Sequence, residues 1–248
     1  MGIKFPSHLR VPPRHLWLFP FVSGASWLLT LTALLITWIA KGMPRYPHQT
    51  NPYVAFISNI AAFQLKPVFF IGSTITGFAF IGTIYSVHWA RYDPRMYGID
   101  DARWKKTISL TSVMAGTIAG ISLSLLSAMD TFRYHKKHRI LLMICFGGLF
   151  VTCLCTAVVY FDQILTPSPF KRLRTYCMIS TVLVLCQVGI GVSFIALLYE
   201  GYYRIAGCLE WTETFLGGFY VLTFIGFVAA PEEGINNRER EALLQSQE

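Results

Sequence analysis

The sequence predicts an all-α polytopic membrane protein, a bundle of six transmembrane helices with both termini in the cytosol. Three observations lead there. Apolar residues make up 54% of the 248-residue chain and charged residues only 14%, whereas soluble domains carry about 25% charged residues. The apolar residues fall in runs of about 20, the length at which a helix spans a bilayer. The runs are continuous and not alternating, which excludes a β-barrel, so helices must satisfy the backbone hydrogen bonds in lipid.

The spans are Trp17–Ala40, Pro67–Ala90, Thr107–Met129, Ile140–Phe161, Cys177–Tyr199 and Ile205–Ala230. Residues 1–16 form a cytosolic segment, 17–230 the membrane domain and 231–248 an acidic, disordered tail. The first run is too long for a signal-peptide core and has no well-placed cleavage site, so it stays as a span. The N-terminal "MGIKFPS" misses the myristoylation pattern because Pro6 stands where Ser or Thr is needed. Even parity puts both ends on one side. Cytosolic ends leave thirteen of the 21 basic residues inside, all but Lys41, Arg45, Lys66, Arg133, Lys136, Lys137, Arg139 and Arg204. The positive-inside bias favours that orientation. No Asn-x-Ser/Thr sequon marks the outer side.

The first loop, Lys41–Lys66, is the longest and is rich in aromatics and prolines. The second ends in "ARWKK" and the fourth contains "FKRLR". Arg103, Lys105, Lys106, Lys171, Arg172 and Arg174 are therefore candidate contacts for anionic lipid on the cytosolic face. Thr166–Pro169, "TPSP", is a weak phosphorylation motif beside them. The third span repeats a small residue every fourth position: Ser112, Gly116, Gly120, Ser124 and Ala128. Such a face lets another helix approach closely, and packing within the bundle is the expected use, with homodimerisation as the alternative. All six cysteines lie in or beside spans, where they read as small packing residues and not as disulfides or metal ligands.

The third loop, within "SAMDTFRYHKKHR", holds an acid, two histidines and four bases. Those bases stand on the side that the positive-inside rule would leave poor in them. Loops 1, 3 and 5 share one face, so Ser58, Asn59, Asp130, His135, His138, Glu210 and Glu213 form a candidate outer polar cluster. Glu210 and Glu213 lie three apart on one helix side, with Trp211 as an interfacial anchor. Acids in a span are costly and face the bundle interior or a partner. Three uses are open: a metal or acid–base site, a salt-bridged latch of helix ends with Asp130 or Glu210 paired to His or Arg, or a lipid-headgroup site with bases for phosphate and acids for an amine. Lys136, Lys137 and Arg139 make the His-x-x-His pair a poor cation site, so no metal and no cofactor are expected. No hydrolase motif is present, and no catalytic residue and no nucleic-acid partner are assigned. In the tail, Glu239, Leu243 and Leu244 fit an acidic dileucine signal for endosomes, lysosome or vacuole, read by sorting adaptors.

Four stretches taken in order resemble the Frag/DRAM/Sfk family: "HLWLFPFVSGASWLLTLTALLITW", "NPYVAFISNIAAFQLKP", "SAMDTFRYHKKHR" and "GCLEWTETFLGGFYVLTF". The third resembles a Phe-Asp-Thr…His…His pattern common among fungal members, which makes a fungal member the expectation. Asn59 stands where the family usually has aspartate, and Ala61 where it has glycine. The resemblance implies a six-span fold over about Leu16 to Val228 and regulation more than chemistry. Members act with a phosphatidylinositol kinase at the plasma membrane, in lipid asymmetry, in autophagy, or in glycosylphosphatidylinositol-anchor remodelling. The leading expectation is thus a non-enzymatic membrane regulator that organises lipids or recruits a phosphatidylinositol kinase complex through its basic loops. The alternative is a lipid-remodelling enzyme or transporter that uses the outer cluster.

Overall fold

The computed structural model describes residues 13–229 apart from 48, 50 and 166–169. The dileucine tail and the Thr166–Pro169 motif lie outside the described residues. A 3-10 turn at Pro13–His15 leads into α1 (Leu18–Ala40), α2 (Ile57–Ala61), α3 (Lys66–Tyr92), α4 (Arg103–Ala128), α5 (His135–Leu165), α6 (Lys171–Tyr199) and α7 (Tyr203–Val228). All but α2 are long and apolar enough to cross a bilayer, so the six expected spans are present. Among the described residues there is no strand.

The helices run past the apolar runs. α4, α5 and α6 begin at Arg103, His135 and Lys171, four to six residues before the expected starts. A helix keeps its hydrogen-bond ladder through the headgroup region, where charged side chains reach water, so hydropathy marks the lipid-embedded part and not the helix end. One consequence corrects the sequence reading: His135 and His138 lie in the first turns of α5, not in a loop. The linker between α4 and α5 is only Met129–Tyr134.

The six long helices close into a ring in the order α1, α3, α4, α5, α6, α7, with α7 back against α1 and α3 touching α7 across the middle. Six crossings leave Pro13–His15, the end of α7 and the α3–α4 and α5–α6 connections at one end, called here the terminal end. The loop-1 end carries the other connections. Gly42 at φ +76° stops α1, and its N–H and that of Met43 return to Ile39 and Trp38, a left-handed helix end that glycine adopts without strain.

Two apolar clusters fill the ring. Phe80, Val113, Tyr160, Leu173, Phe224 and Phe227 belong to the one toward the terminal end. Leu31, Leu34, Trp38, Ile60, Phe69 and Trp211 belong to the one toward the loop-1 end. The α4 small-residue face is used inside the chain. Ser112 Oγ lies 3.1 Å from Thr156 Oγ1 of α5, and Gly116 faces Ile84 of α3 and Thr152 of α5. At Gly120 the α3 and α4 backbones meet, for a Cβ built there would lie 2.6 Å from the Gly77 carbonyl oxygen. Ser124 Oγ caps the Gly120 carbonyl at 3.1 Å, and Ala128 is exposed, outside the contact. All six cysteines are free thiols; Cys186 and Cys208 are exposed and do not pack inside as expected.

Candidate functional site

At the loop-1 end the seven expected residues divide into separate groups. Asp130 is 7% exposed. Its Oδ2 accepts from Lys66 Nζ at 2.8 Å, joining the start of α3 to the α4–α5 linker. Its Oδ1 accepts the backbone N–H groups of Phe132 at 3.2 Å and Arg133 at 2.8 Å. His138 is buried and its Nδ1 donates to the Met129 carbonyl at 2.7 Å. His135 is exposed and accepts from Arg139 Nη2 at 3.1 Å. Asp130 and His138 thus latch the α4–α5 corner, but the partner is Lys66, not the His or Arg expected. An Asx-type turn explains the pattern: the aspartate holds the amides two and three residues on, leaving its other oxygen for a cation.

Burial raises the Asp130 carboxyl's pKa, but Lys66 and the Arg133 and Phe132 amides outweigh it and hold the carboxyl below its ordinary range. A carboxylate whose folded pKa is depressed contributes stability above its unfolded value, about 3.8, and loses that contribution as pH falls through the lower folded value. Asp130→Asn should therefore destabilise the protein by about 1–2 kcal/mol near neutral pH. Thermal unfolding in detergent at stepped pH checks this: the gap from wild type should close below the unfolded value, and a gap unchanged there would remove the charged latch.

Ser58 and Asn59 sit in α2, a helix the sequence reading leaves as loop. Five residues are too few to show a period; the helix forms because Asn59 Oδ1 accepts the Phe56 N–H at 3.2 Å. Asn59 serves its own helix start and makes no bond to Asp130 or the glutamates. Asn51, not singled out from the sequence, is fully buried. Its Nδ2 donates to the Tyr203 carbonyl at 2.6 Å, and its Oδ1 accepts from the Tyr53 and Val54 amides. Trp211 is 6% exposed and donates from Nε1 to the Ala55 carbonyl at 3.1 Å. It pins loop 1 to α7 and does not anchor at the membrane interface as expected. The signal for Asn51 was the Asn-Pro pair that opens a turn.

Glu210 and Glu213 lie together on α7, apart from the Asp130 latch. The Ile57 amide at the start of α2 approaches Glu210. Each glutamate keeps one shielded oxygen, Oε2, with no hydrogen-bond partner.

At the terminal end is a charge knot that the sequence reading missed. Arg91 has no exposed surface. Its Nε and Nη2 reach Asp101 at 2.6 and 3.0 Å, and Nη2 reaches Asp162 of α5 at 3.3 Å. The guanidinium carbon lies 4.5 Å from the Tyr160 ring centroid, so the ring face supports the cation. Lys105 completes the knot at 3.2 Å from Asp162. Lys106 pairs with Asp100 at 2.8 Å. Two of the six expected lipid contacts are thus matched by acids of the chain. Arg103, Lys171 and Arg172 are exposed and Arg174 half-buried. The available signal was Asp162, an acid just past an apolar run on the side where loops are basic.

A family model described as the Frag1/DRAM/Sfk1/Cwh43P N-terminal domain matches residues 15–226. The chain belongs to this family. No curated protein and no solved structure matches it significantly. The Frag1/DRAM/Sfk1/Cwh43P match thus takes in all of the ring but the last two residues of α7, with both polar ends and the glutamate pair. The Asp130 latch, the Asn51 pin and the Arg91 knot all lie within it.

Proposed function

We propose that this family member is a non-enzymatic regulator of lipid organisation, embedded in the bilayer, that engages anionic lipid at its cytosolic, terminal end. One observation supports this most. The first turns of α4 and α6 contain no acid, yet Arg103 and Lys171 are exposed there, with Trp104 54% exposed beside Arg103. A helix start is the positive end of the helix dipole, so bases gathered there lack compensation along the helix. A headgroup phosphate supplies it, and an exposed tryptophan fits the interface.

Each such base contributes roughly 1 kcal/mol toward an anionic surface. The combined change Arg103→Ala and Lys171→Ala should therefore weaken retention of phosphatidylinositol 4-phosphate by about 30-fold, measured on protein in phosphatidylcholine nanodiscs doped with that lipid. Equal retention by the variant and the wild type sinks the reading. A phosphatidylinositol kinase complex is the cytosolic partner this reading expects, in phosphoinositide signalling or autophagy. Plasma membrane or endosome, lysosome or vacuole is the compartment, reached with sorting adaptors if Glu239, Leu243 and Leu244 act as the signal.

The enzyme or transporter reading has less support. Asp130 and His138 are engaged by Lys66 and the Met129 carbonyl, and Asn59 by Phe56, so the outer cluster offers no convergent acid–base pair.

A further inference from the structure

Three shielded oxygens line the seam between α7 and α6, and none has a hydrogen-bond partner: Glu210 Oε2, Glu213 Oε2 and Gln187 Oε1. Glu210, Glu213, Gly217 and Tyr220 are spaced three, four and three apart, one face of a helix. Gly217 opens that face: a Cβ built there would lie 3.6 Å from Gln187 Nε2, which sets the Gln187 amide one turn beyond Glu213. Tyr220 is 3% exposed, and its oxygen sits beside Cys153 of α5 and Ser180 of α6. Among the described residues no lysine, arginine or histidine pairs with either glutamate.

Such an arrangement is costly in hydrocarbon, where an acceptor without a donor and a charge without a partner are both penalised. A ligand that relieves it brings N–H donors and positive charge. A primary ammonium has three donors and one charge, matching the three unpartnered glutamate and glutamine oxygens. A quaternary choline carries the charge without the donors, and a hydroxyl carries a donor without the charge.

The geometry also says from where the ligand comes. From the water side the seam is covered by α2, whose Ile57 and Ile60 are buried and whose neighbour Phe56 meets Phe194 of α6 edge-on at 6.4 Å. From the lipid side it is open. α5 and α6 pack less extensively than any other neighbours in the ring, and no residue in the most apolar stretch of α6 is buried. Glu210 lies seven residues into α7, about 10 Å along the axis at 1.5 Å per residue. The helix exceeds the roughly 30 Å hydrocarbon by a few ångströms at each end, so Glu210 sits just below headgroup level.

We propose that the α5–α6–α7 seam binds the primary ammonium of an aminophospholipid, whose chains enter between α5 and α6. The site lies at the opposite end from the basic residues of the proposed function, so the two stand or fall separately. The test uses the full chain in nanodiscs of mixed phosphatidylethanolamine and phosphatidylcholine with identical acyl chains, with retained lipid counted by native mass spectrometry. The wild type should retain phosphatidylethanolamine roughly tenfold over phosphatidylcholine, with N-methyl and N,N-dimethyl headgroups falling between. Glu210→Gln with Glu213→Gln should bring the ratio to about one. These near-isosteric changes replace a carboxyl oxygen with an amide donor and keep the side chain's shape, so the fold should persist; Gln187→Leu, which should reduce the ratio in part, serves as a second variant. The Arg103→Ala, Lys171→Ala variant should leave the ratio unchanged. Equal retention of the two lipids by the wild type, an unchanged ratio in the double variant, or retention of phosphatidylglycerol equal to phosphatidylethanolamine would each overturn the ammonium site.

Discussion

Arg91→Ala should lower the unfolding temperature of the detergent-solubilised protein by about 10 °C, the largest drop expected of any single change here. The guanidinium is fully buried and is the shared partner of Asp101, whose side chain is 5% exposed, and of Asp162, at 32%. Removing one member of a buried ion pair leaves the other charge without compensation, at a cost of about 3–5 kcal/mol. At this chain length each kcal/mol moves the midpoint by about 2–4 °C. The loss should fall mainly on Asp101, because Lys105 lies 3.2 Å from Asp162 but 3.9 Å from Asp101. Arg91→Met combined with Asp101→Leu should therefore recover part of the loss, since the penalty comes from the stranded charge and not from absent attraction. Arg91→Lys should behave closer to alanine than to wild type, because an ammonium cannot reproduce the two-pronged contact of Nε and Nη2 with one carboxylate. Differential scanning fluorimetry of the four proteins checks the ordering, and a double variant less stable than Arg91→Ala would contradict this account.

Gly120→Leu should be the next most damaging. A Cβ at Gly120 falls 2.6 Å from the Gly77 carbonyl oxygen and 2.8 Å from Ile81 Cγ1, and one at Gly77 falls 2.4 Å from the Gly120 carbonyl oxygen. The obstruction is backbone, which cannot rotate away, so α3 and α4 must part along their length. Overpacking of this kind costs about 3 kcal/mol, near the top of its usual range, or about 6–12 °C in midpoint. Gly147→Leu on α5 is the control. Nothing lies within 4 Å of a Cβ there, and leucine favours a helix over glycine by somewhat under 1 kcal/mol. The same melting measurement should show it neutral or slightly stabilising. Equal losses at the two glycines would mean that the α3–α4 contact does not limit stability.

The number, order and type of the long elements were legible because lipid admits so few backbone solutions that hydropathy alone selects one. The four-residue repeat in α4 was legible for a similar reason, since small residues at that spacing serve a close helix approach. What escaped were the features that depend on pairing across the ring. Arg91 looked like one loop base among five, because nothing local says that Asp101, ten residues on, and Asp162, seventy-one residues on, converge upon it. Lys66 was counted only as a charge, though it completes the Asp130 latch. Trp211 carried the composition of an interfacial anchor but is buried, because Ala55 offers its indole a carbonyl. Asp130, His138 and Glu210 share one end, yet parity gives only the end and not the azimuth, so it could not separate the latch from the glutamate seam.

The Arg91 knot has a further consequence when the chain is followed in time. The machinery that inserts a nascent chain responds to basic residues and gives little weight to acids. It meets Arg91 and Lys105 before α5 exists, and so before Asp162 is available to either. At that stage neither has Asp162 as a partner, so both count as positive charges on the α3–α4 connection. Once α5 has crossed, the same two charges are withdrawn into a neutral assembly with Asp101 and Asp162. Charges that the insertion machinery would meet uncovered are thus withdrawn by the fold that follows, and the finished protein presents a smaller positive surface than its sequence carries.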